Sequence, residues 1–208
     1  MTAPTTLIVD FGGVLTTDVW ESARSFAVRE GLPAAGMTEI LGRHPALARA
    51  FADLEAGRVD QRAFAQLLHT IIGLPPEGLL ARMLADIRPD REMLAALASL
   101  RRGGIRIGVL SNSCGAGDFD PYAGYHLSDL ADVVVISDQV GMRKPEPEIY
   151  QLTVDQLGVA PAACVFVDDT AVNLPPAEAL GMRTVHHTGT SATLAALRSL
   201  FDLDLDPR

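Results

Sequence analysis

The chain has 208 residues, 48% of them hydrophobic, so one core domain with a subdomain is expected at a length near which chains begin to divide. Lys and Arg number 17 against 26 Asp and Glu, and the net charge of 17 − 26 = −9 repels phosphate backbones and anionic lipid heads, so neither nucleic acid nor a membrane surface is an expected partner. The opening "MTAPTTLIVDFGG" lacks the basic and apolar regions of a signal peptide, and no apolar run approaches the ~20 residues of a membrane span, which makes the expected location cytoplasmic.

The first element is a β-rich run, "TTLIVDF", whose apolar part stops at Asp10; Gly12 and Gly13 follow. From residue 17 to 89 no strand pattern is evident, a gap far longer than an ordinary connection in an α/β unit. Helical periodicity fills it. In "DQRAFAQLLHTIIGL", Phe64, Leu67, Leu68 and Ile71 recur at i, i+3, i+4 and i+7, and in "PPEGLLARMLADI" Leu80, Met83, Leu84 and Ile87 do the same. Periodicity reports burial without naming the partner surface, so any one of these helices fits equally well as cover for a sheet face. Their number before the next strand predicts a helical subdomain at 17–89, inserted into a core built from 1–16 and 90–208. The apolar helices leave a monomer and a homodimer equally open.

"DREMLAALASLRRGG" is predicted as a helix with Asp90 at its start, an apolar face of Met93, Leu97 and Leu100, and an end at Arg101, Arg102 and Gly103. It leads into a second strand, "RIGVLSN". Further strands at "DVVVIS", "ACVFVDD" and, more weakly, "MRTVHH" are interleaved with helical stretches. This order predicts the α/β class, a parallel sheet covered by helices on both faces. Cys114 and Cys164 have neither zinc nor redox spacing and are expected as reduced thiols, Cys164 packed in a strand. The acidic tail "DLDLDPR" is expected to be a frayed end.

In an open α/β sheet, ligands bind beyond the carboxyl ends of the strands. The residues to inspect are therefore Asp10, then Ser111 and Asn112, then Asp168 and Asp169. A lone aspartate at a strand end is ordinarily a turn or cap residue. If the first, second and fourth strands are neighbours, however, three carboxylates converge, and they need a positive partner. Two are available: a divalent cation, and Lys144 of "GMRKPEPEIY", which precedes a proline and so belongs to a loop before the next helix. Oxygen donors suit Mg2+, and the lack of a His/Cys cluster argues against zinc. The adjacent His186 and His187 cannot face the same way on a regular strand and are expected to be structural or rim residues. Together, a nucleophilic carboxylate (Asp10), a hydroxyl (Ser111), a cation (Lys144) and an acidic metal cradle (Asp168, Asp169) describe attack on an anionic, phosphorylated substrate through an aspartyl-phosphate. A turn without side chains at Gly12 and Gly13 lets the backbone come close to the phosphate.

Four segments in order, "DFGGVL", "VLSNS", "RKPEPEIY" and "VFVDDTAVNLPPAEALGM", resemble the motifs of the haloacid dehalogenase-like hydrolases, and the resemblance covers nearly the whole chain. It implies a Rossmann-like core with a helical cap inserted after the first strand, Mg2+ as cofactor, and a small phosphorylated metabolite as substrate. Position by position, it implies Asp10 as nucleophile, the Gly12 carbonyl as a metal ligand, Ser111 and Lys144 as phosphate ligands and Asp169 as the direct metal ligand. Asp168 and Asn173 would support the metal's water shell or the loop, and Asn112 would sit with Ser111 at the substrate.

Gly12 is the departure, because phosphatases of this family carry a second aspartate there as general acid and base. Such help is worth ~10² to 10⁴ in rate. Three readings follow: a Mg2+-dependent phosphatase whose leaving group needs little protonation or is protonated by Asp18, Asp118 or Asp120; a metal-independent 2-haloacid dehalogenase, whose halide needs no proton; and a non-catalytic binding or regulatory protein. Specificity is expected to reside in "LEAGRVDQRAF" and in the loop "SCGAGDFDPYAGYH".

Overall fold

The computed structural model describes residues 3–33 and 36–202; the acidic tail from residue 203 onward lies outside them. Strands β1 (Thr6–Val9), β2 (Arg106–Ser111), β3 (Val133–Ile136), β4 (Cys164–Asp168) and β5 (Arg183–His186) form a parallel sheet in the order β3-β2-β1-β4-β5. The first strand is central. Val9 is in register with Val109 of β2 and Val167 of β4, so the carboxyl ends of these three strands lie level, as the convergence of Asp10, Ser111 and Asp168 requires.

Strand period explains how β1 is covered on both faces. Leu7 and Val9 pack into a core with Met93, Leu97 and Leu100 of α6 (Arg91–Arg102) and Leu194 and Leu197 of α11 (Thr190–Phe201). Ile8 faces the other way, toward Ile149, Tyr150 and Val154 of α9 (Pro147–Leu157) and Ala177 of α10 (Leu174–Ala179). Two short helices, α7 (Leu127–Leu130) and α8 (Ser137–Val140), flank β3 and have no periodic signature in the sequence. As expected, α6 starts at Asp90, whose Oδ1 accepts from the Met93 N–H at 2.9 Å.

Between β1 and α6 lie α1 (Val19–Arg29), α2 (Gly36–Arg43), α3 (Pro45–Glu55), α4 (Gln61–Ile72) and α5 (Leu79–Met83). They share a core of their own, including Phe26, Leu47, Leu54, Phe64, Leu68 and Leu80. α4 follows its predicted face, with Phe64 and Leu68 buried and Leu67 and Ile71 packed alongside. α5 is shorter than the pattern over 75–87 suggests, because Pro75 and Pro76 delay its start and Leu84 already closes it. The two chain crossings into this insertion run side by side: Thr16 and Pro89 form an isolated antiparallel bridge, Thr17 N–H donates to Arg88 O at 2.8 Å, and Asp90 N–H donates to Leu15 O at 2.9 Å. Among the described residues, no helix is long and apolar enough to cross a membrane.

Candidate active site

Asp10 follows directly on β1, is 8% exposed, and is flanked by the ends of β2 and β4. Its Oδ1 accepts from the Phe11 N–H at 2.7 Å and lies 2.8 Å from Lys144 Nζ. Its Oδ2 has no hydrogen bond among the described residues, which leaves one carboxylate oxygen with its lone pairs free. Lys144, in the loop before α9 as predicted, is 1% exposed and also reaches Asp168 Oδ2 at 2.6 Å. Burial alone would depress the lysine, but the carboxylates of Asp10 and Asp168 outweigh it and hold the ammonium above the usual lysine range.

Asp168 is fully buried and saturated: Oδ2 meets Lys144, and Oδ1 accepts from Thr170 N–H at 2.8 Å and Asn173 Nδ2 at 2.9 Å. Asp169 differs. It lines the cavity, and among the described residues its side chain accepts only from the Thr170 hydroxyl, at 3.2 Å. The sequence places both in the metal cradle; the geometry gives Asp169 the open carboxylate and makes Asp168, with Asn173, its support. Gly13 has φ +76°, a conformation glycine adopts readily, and a β-carbon there would stand 2.3 Å from Asp169 Oδ2.

One ligand oxygen from each of Asp10, Asp168 and Asp169 can be chosen so that the three lie within 4.8 Å of one another. Three carboxylates with Lys144 leave a local charge of −3 + 1 = −2. Burial, together with the Asp168 and Asp169 charges, pushes the Asp10 carboxyl up to about 8 against the pull of Lys144, and burial likewise raises Asp169. The cluster is short of positive charge, and its hard oxygen donors fit a small dication such as Mg2+.

Ser111, at the end of β2, is 2% exposed and lines the same cavity. Its Oγ accepts from the Tyr122 hydroxyl at 2.9 Å, and the Tyr122 ring rests on Phe11 with centroids 4.8 Å apart. Asn112 has its amide committed to the Lys144 main chain, Oδ1 accepting from the Lys144 N–H at 2.8 Å and Nδ2 donating to Lys144 O at 3.0 Å. It braces the lysine loop and lines the same cavity as Ser111. His186 bonds Asp169 O at 3.0 Å, and His187 pairs with the Thr193 hydroxyl at 2.9 Å, so neither joins the carboxylate cluster.

Of the three acids weighed as proton donors, Asp18 caps α1, accepting from the Trp20 and Glu21 N–H groups at 2.6 and 3.1 Å. Asp118 is exposed. Asp120 lines the cavity, with Oδ1 accepting from the Tyr122 N–H at 2.9 Å. A further acid, Glu55 at the end of α3, lines the cavity from the insertion and binds Arg143 Nε and Nη2 at 2.7 and 2.5 Å. Burial raises its carboxyl while Arg143 pulls it back. Sequence reasoning names the segments of Glu55 and Tyr122 without singling out either residue. The insertion is also seated by Gln61, whose Nε2 donates to Gly115 O and Phe119 O at 2.6 and 2.7 Å. Cys114 and Cys164 are free thiols, and Cys164 is buried in β4 as expected.

A free, buried carboxylate on the central strand of a parallel sheet, tied to a lysine and beside a second acidic loop, defines a hydrolase-like α/β site under a helical insertion. A family model for haloacid dehalogenase-like hydrolases matches residues 4–181, and the chain belongs to that family. Among its relatives are the Sesquiterpene phosphatase astK of Aspergillus oryzae, 33% identical over 70% of this chain and 76% of its own, and Phosphatase MT3486 of Mycobacterium tuberculosis, 36% identical over 62% of this chain. The match spans half of that second protein's length. In fold, the chain is similar to HAD family enzyme bt-2542 of Bacteroides thetaiotaomicron in its magnesium complex, with TM-score 0.70 and 21% identity over 93% of this chain and 99% of that one.

Proposed function

We propose that the protein is a Mg2+-dependent phosphatase of small phosphorylated compounds, with Asp10 as nucleophile. The observation that carries the reading is the arrangement of Asp10 beside Lys144 and Asp169: one carboxylate oxygen is fixed by the lysine, the other is free, and the cluster lacks positive charge. Two relatives named as phosphatases support it.

In this reading Asp10 attacks phosphorus, forming a bond from its carboxylate oxygen and breaking the ester P–O bond. The resulting aspartyl-phosphate is then opened by water, which returns the carboxylate and releases inorganic phosphate. Ser111 and Lys144 hold phosphoryl oxygens, with the Tyr122 hydroxyl fixing the direction of the serine hydroxyl. Asp10, Asp169 and the Gly12 carbonyl would hold Mg2+, with Asp168 behind them. When bound, the ion offsets the charge between two anions so that they can approach. Gly12 provides no proton for the departing oxygen, so leaving groups that depart as stable anions are favoured, with Asp120 and Glu55 as further acids on the cavity wall.

The test is a phosphoester panel with and without Mg2+, with Asp10→Asn as the blank and halide release from 2-haloacids followed in parallel. Mg2+-dependent phosphate release lost in Asp10→Asn is expected. EDTA-insensitive halide release overturns the reading in favour of carbon–halogen chemistry. Stoichiometric binding of Mg2+ and a phosphate analogue without turnover marks a binding protein.

A further inference from the structure

We infer that the compound hydrolysed carries an apolar tail of several carbons, which lies among the inserted helices while its phosphoryl group sits at Asp10; this rests on the phosphatase reading above. A cavity of about 530 Å3 runs from Asp10 and Asp169 into the insertion. There its wall is Trp20, Met37, Leu41, Phe51, Phe64 and Met83. The Trp20, Phe51 and Phe64 rings follow one another at centroid separations of 6.2 and 5.9 Å.

Ser111, Asn112, Lys144 and Asp169 line the cavity from the sheet side, and Asp120, Tyr122 and Arg143 line it from the loops of the core. Among the described residues, Glu55 is the one charged side chain that α1 to α5 bring to the wall, and Arg143 already holds it. Apart from the Trp20 indole N–H and the Glu55 carboxylate, whose Oε2 Arg143 holds, the side chains that α1 to α5 bring to this wall are apolar among the described residues. A sugar, polyol or nucleoside would have to take its hydroxyls out of water against that wall with few partners, which costs free energy. A hydrocarbon gains from the same transfer. The gradient from anion-binding floor to apolar roof therefore matches an amphiphile, and the volume lies within the range of small-molecule sites.

The experiment uses the full chain with Mg2+ and a series of 4-alkylphenyl phosphates from methyl to octyl, in which the tail lengthens while the basicity of the leaving phenol stays nearly constant. The expected result is a rise in kcat/KM of about three- to four-fold per added methylene until the cavity is filled. Leu41→Gln, at a partly exposed part of the wall, should lower the octyl-to-methyl ratio. A flat series with the methyl member turned over overturns the tail and leaves the phosphatase reading intact. If no member is hydrolysed, the phosphatase reading fails, and the tail is decided by calorimetric binding of ethyl- to octylphosphonate to the same Mg2+-loaded protein. A Kd falling by a similar factor per methylene supports it, and a Kd independent of length overturns it.

Discussion

A β-carbon on Gly12 would lie 2.9 Å from Cγ2 of Val19, the first residue of α1. The space in which an acid two residues after Asp10 would begin is thus filled by the inserted helix. Valine is branched at Cβ and has little rotamer freedom with which to swing aside. Gly12→Asp alone is expected to lower the thermal midpoint without restoring acid catalysis. Paired with Val19→Ala, it should fold normally and raise kcat/KM for alkyl phosphates, whose alkoxides need a proton, more than for aryl phosphates; a working general acid contributes ~10² to 10⁴. Thermal unfolding and steady-state rates of the single and double variants decide it. A single variant as stable and as active as the pair would show that Val19 is no obstacle.

The raised carboxyl of Asp10 has a consequence for stability. Burial, with neighbouring carboxylates, raises the folded-state carboxyl of Asp10 to about 8, and burial raises those of Asp169 and Glu55 in the same direction. Between the unfolded value near 4 and the raised folded values, the folded chain binds more protons than the unfolded one, so stability falls as pH rises through that window. EDTA-treated protein should therefore unfold at lower urea concentration at pH 8 than at pH 6. Under the proposed function, Mg2+ would provide the positive charge in place of a proton and bind the folded cluster, so its stabilisation should grow with pH. Identical urea midpoints with EDTA and with excess Mg2+ at pH 8 would remove the metal from the site.

The strand ends are legible in the sequence because each apolar run changes abruptly to polar residues, and parallel sheets gather ligands at that edge. Asp10, Ser111 and Asp168 meet there once β2, β1 and β4 are neighbours. What the sequence conceals is contact across irregular chain. Tyr122 reaches Ser111 from a loop with no periodicity, and Glu55 reaches Arg143 across 88 positions. Asp18 illustrates a different difficulty, since an acid ahead of a helix serves equally as a cap, and the unpaired N–H groups of α1 claim it. The apolar periods of α4 and α5 announce burial, but they do not reveal that Phe64 and Met83 also face a cavity.

Tyr122→Phe removes the hydroxyl that donates to Ser111 while keeping the ring against Phe11. A net hydrogen bond of about 0.5–1.5 kcal/mol predicts a loss of roughly two- to twelve-fold in kcat/KM for an aryl phosphate. The unfolding midpoint should change little, because the aromatic contact is retained. Ser111→Ala should lose more, since under the proposed function it removes the side chain that would hold the phosphoryl oxygen itself. Unchanged kinetics in Tyr122→Phe would mean that the serine hydroxyl needs no orienting partner.

Gly57 and Asp138 define how the insertion sits on the sheet. Gly57 has φ +66°, and a β-carbon on it would come 2.3 Å from the Asp138 carbonyl oxygen, beside the point where Ser137 Oγ donates to Glu55 O at 2.5 Å. Gly57→Ala is therefore expected to pry the insertion from the core in addition to straining the backbone. Gly31 provides the control, because its φ is +70° and no atom lies within 4 Å of where its β-carbon would be. Gly31→Ala should cost only the left-handed backbone term, about 1–2 kcal/mol. Gly57→Ala should cost more, open residues 56–62 to limited proteolysis, and lower kcat/KM because Glu55 and Gln61 lose their partners across the cavity. Equal behaviour of the two alanine variants in unfolding, proteolysis and rate would show that the insertion is held without the close approach at Asp138.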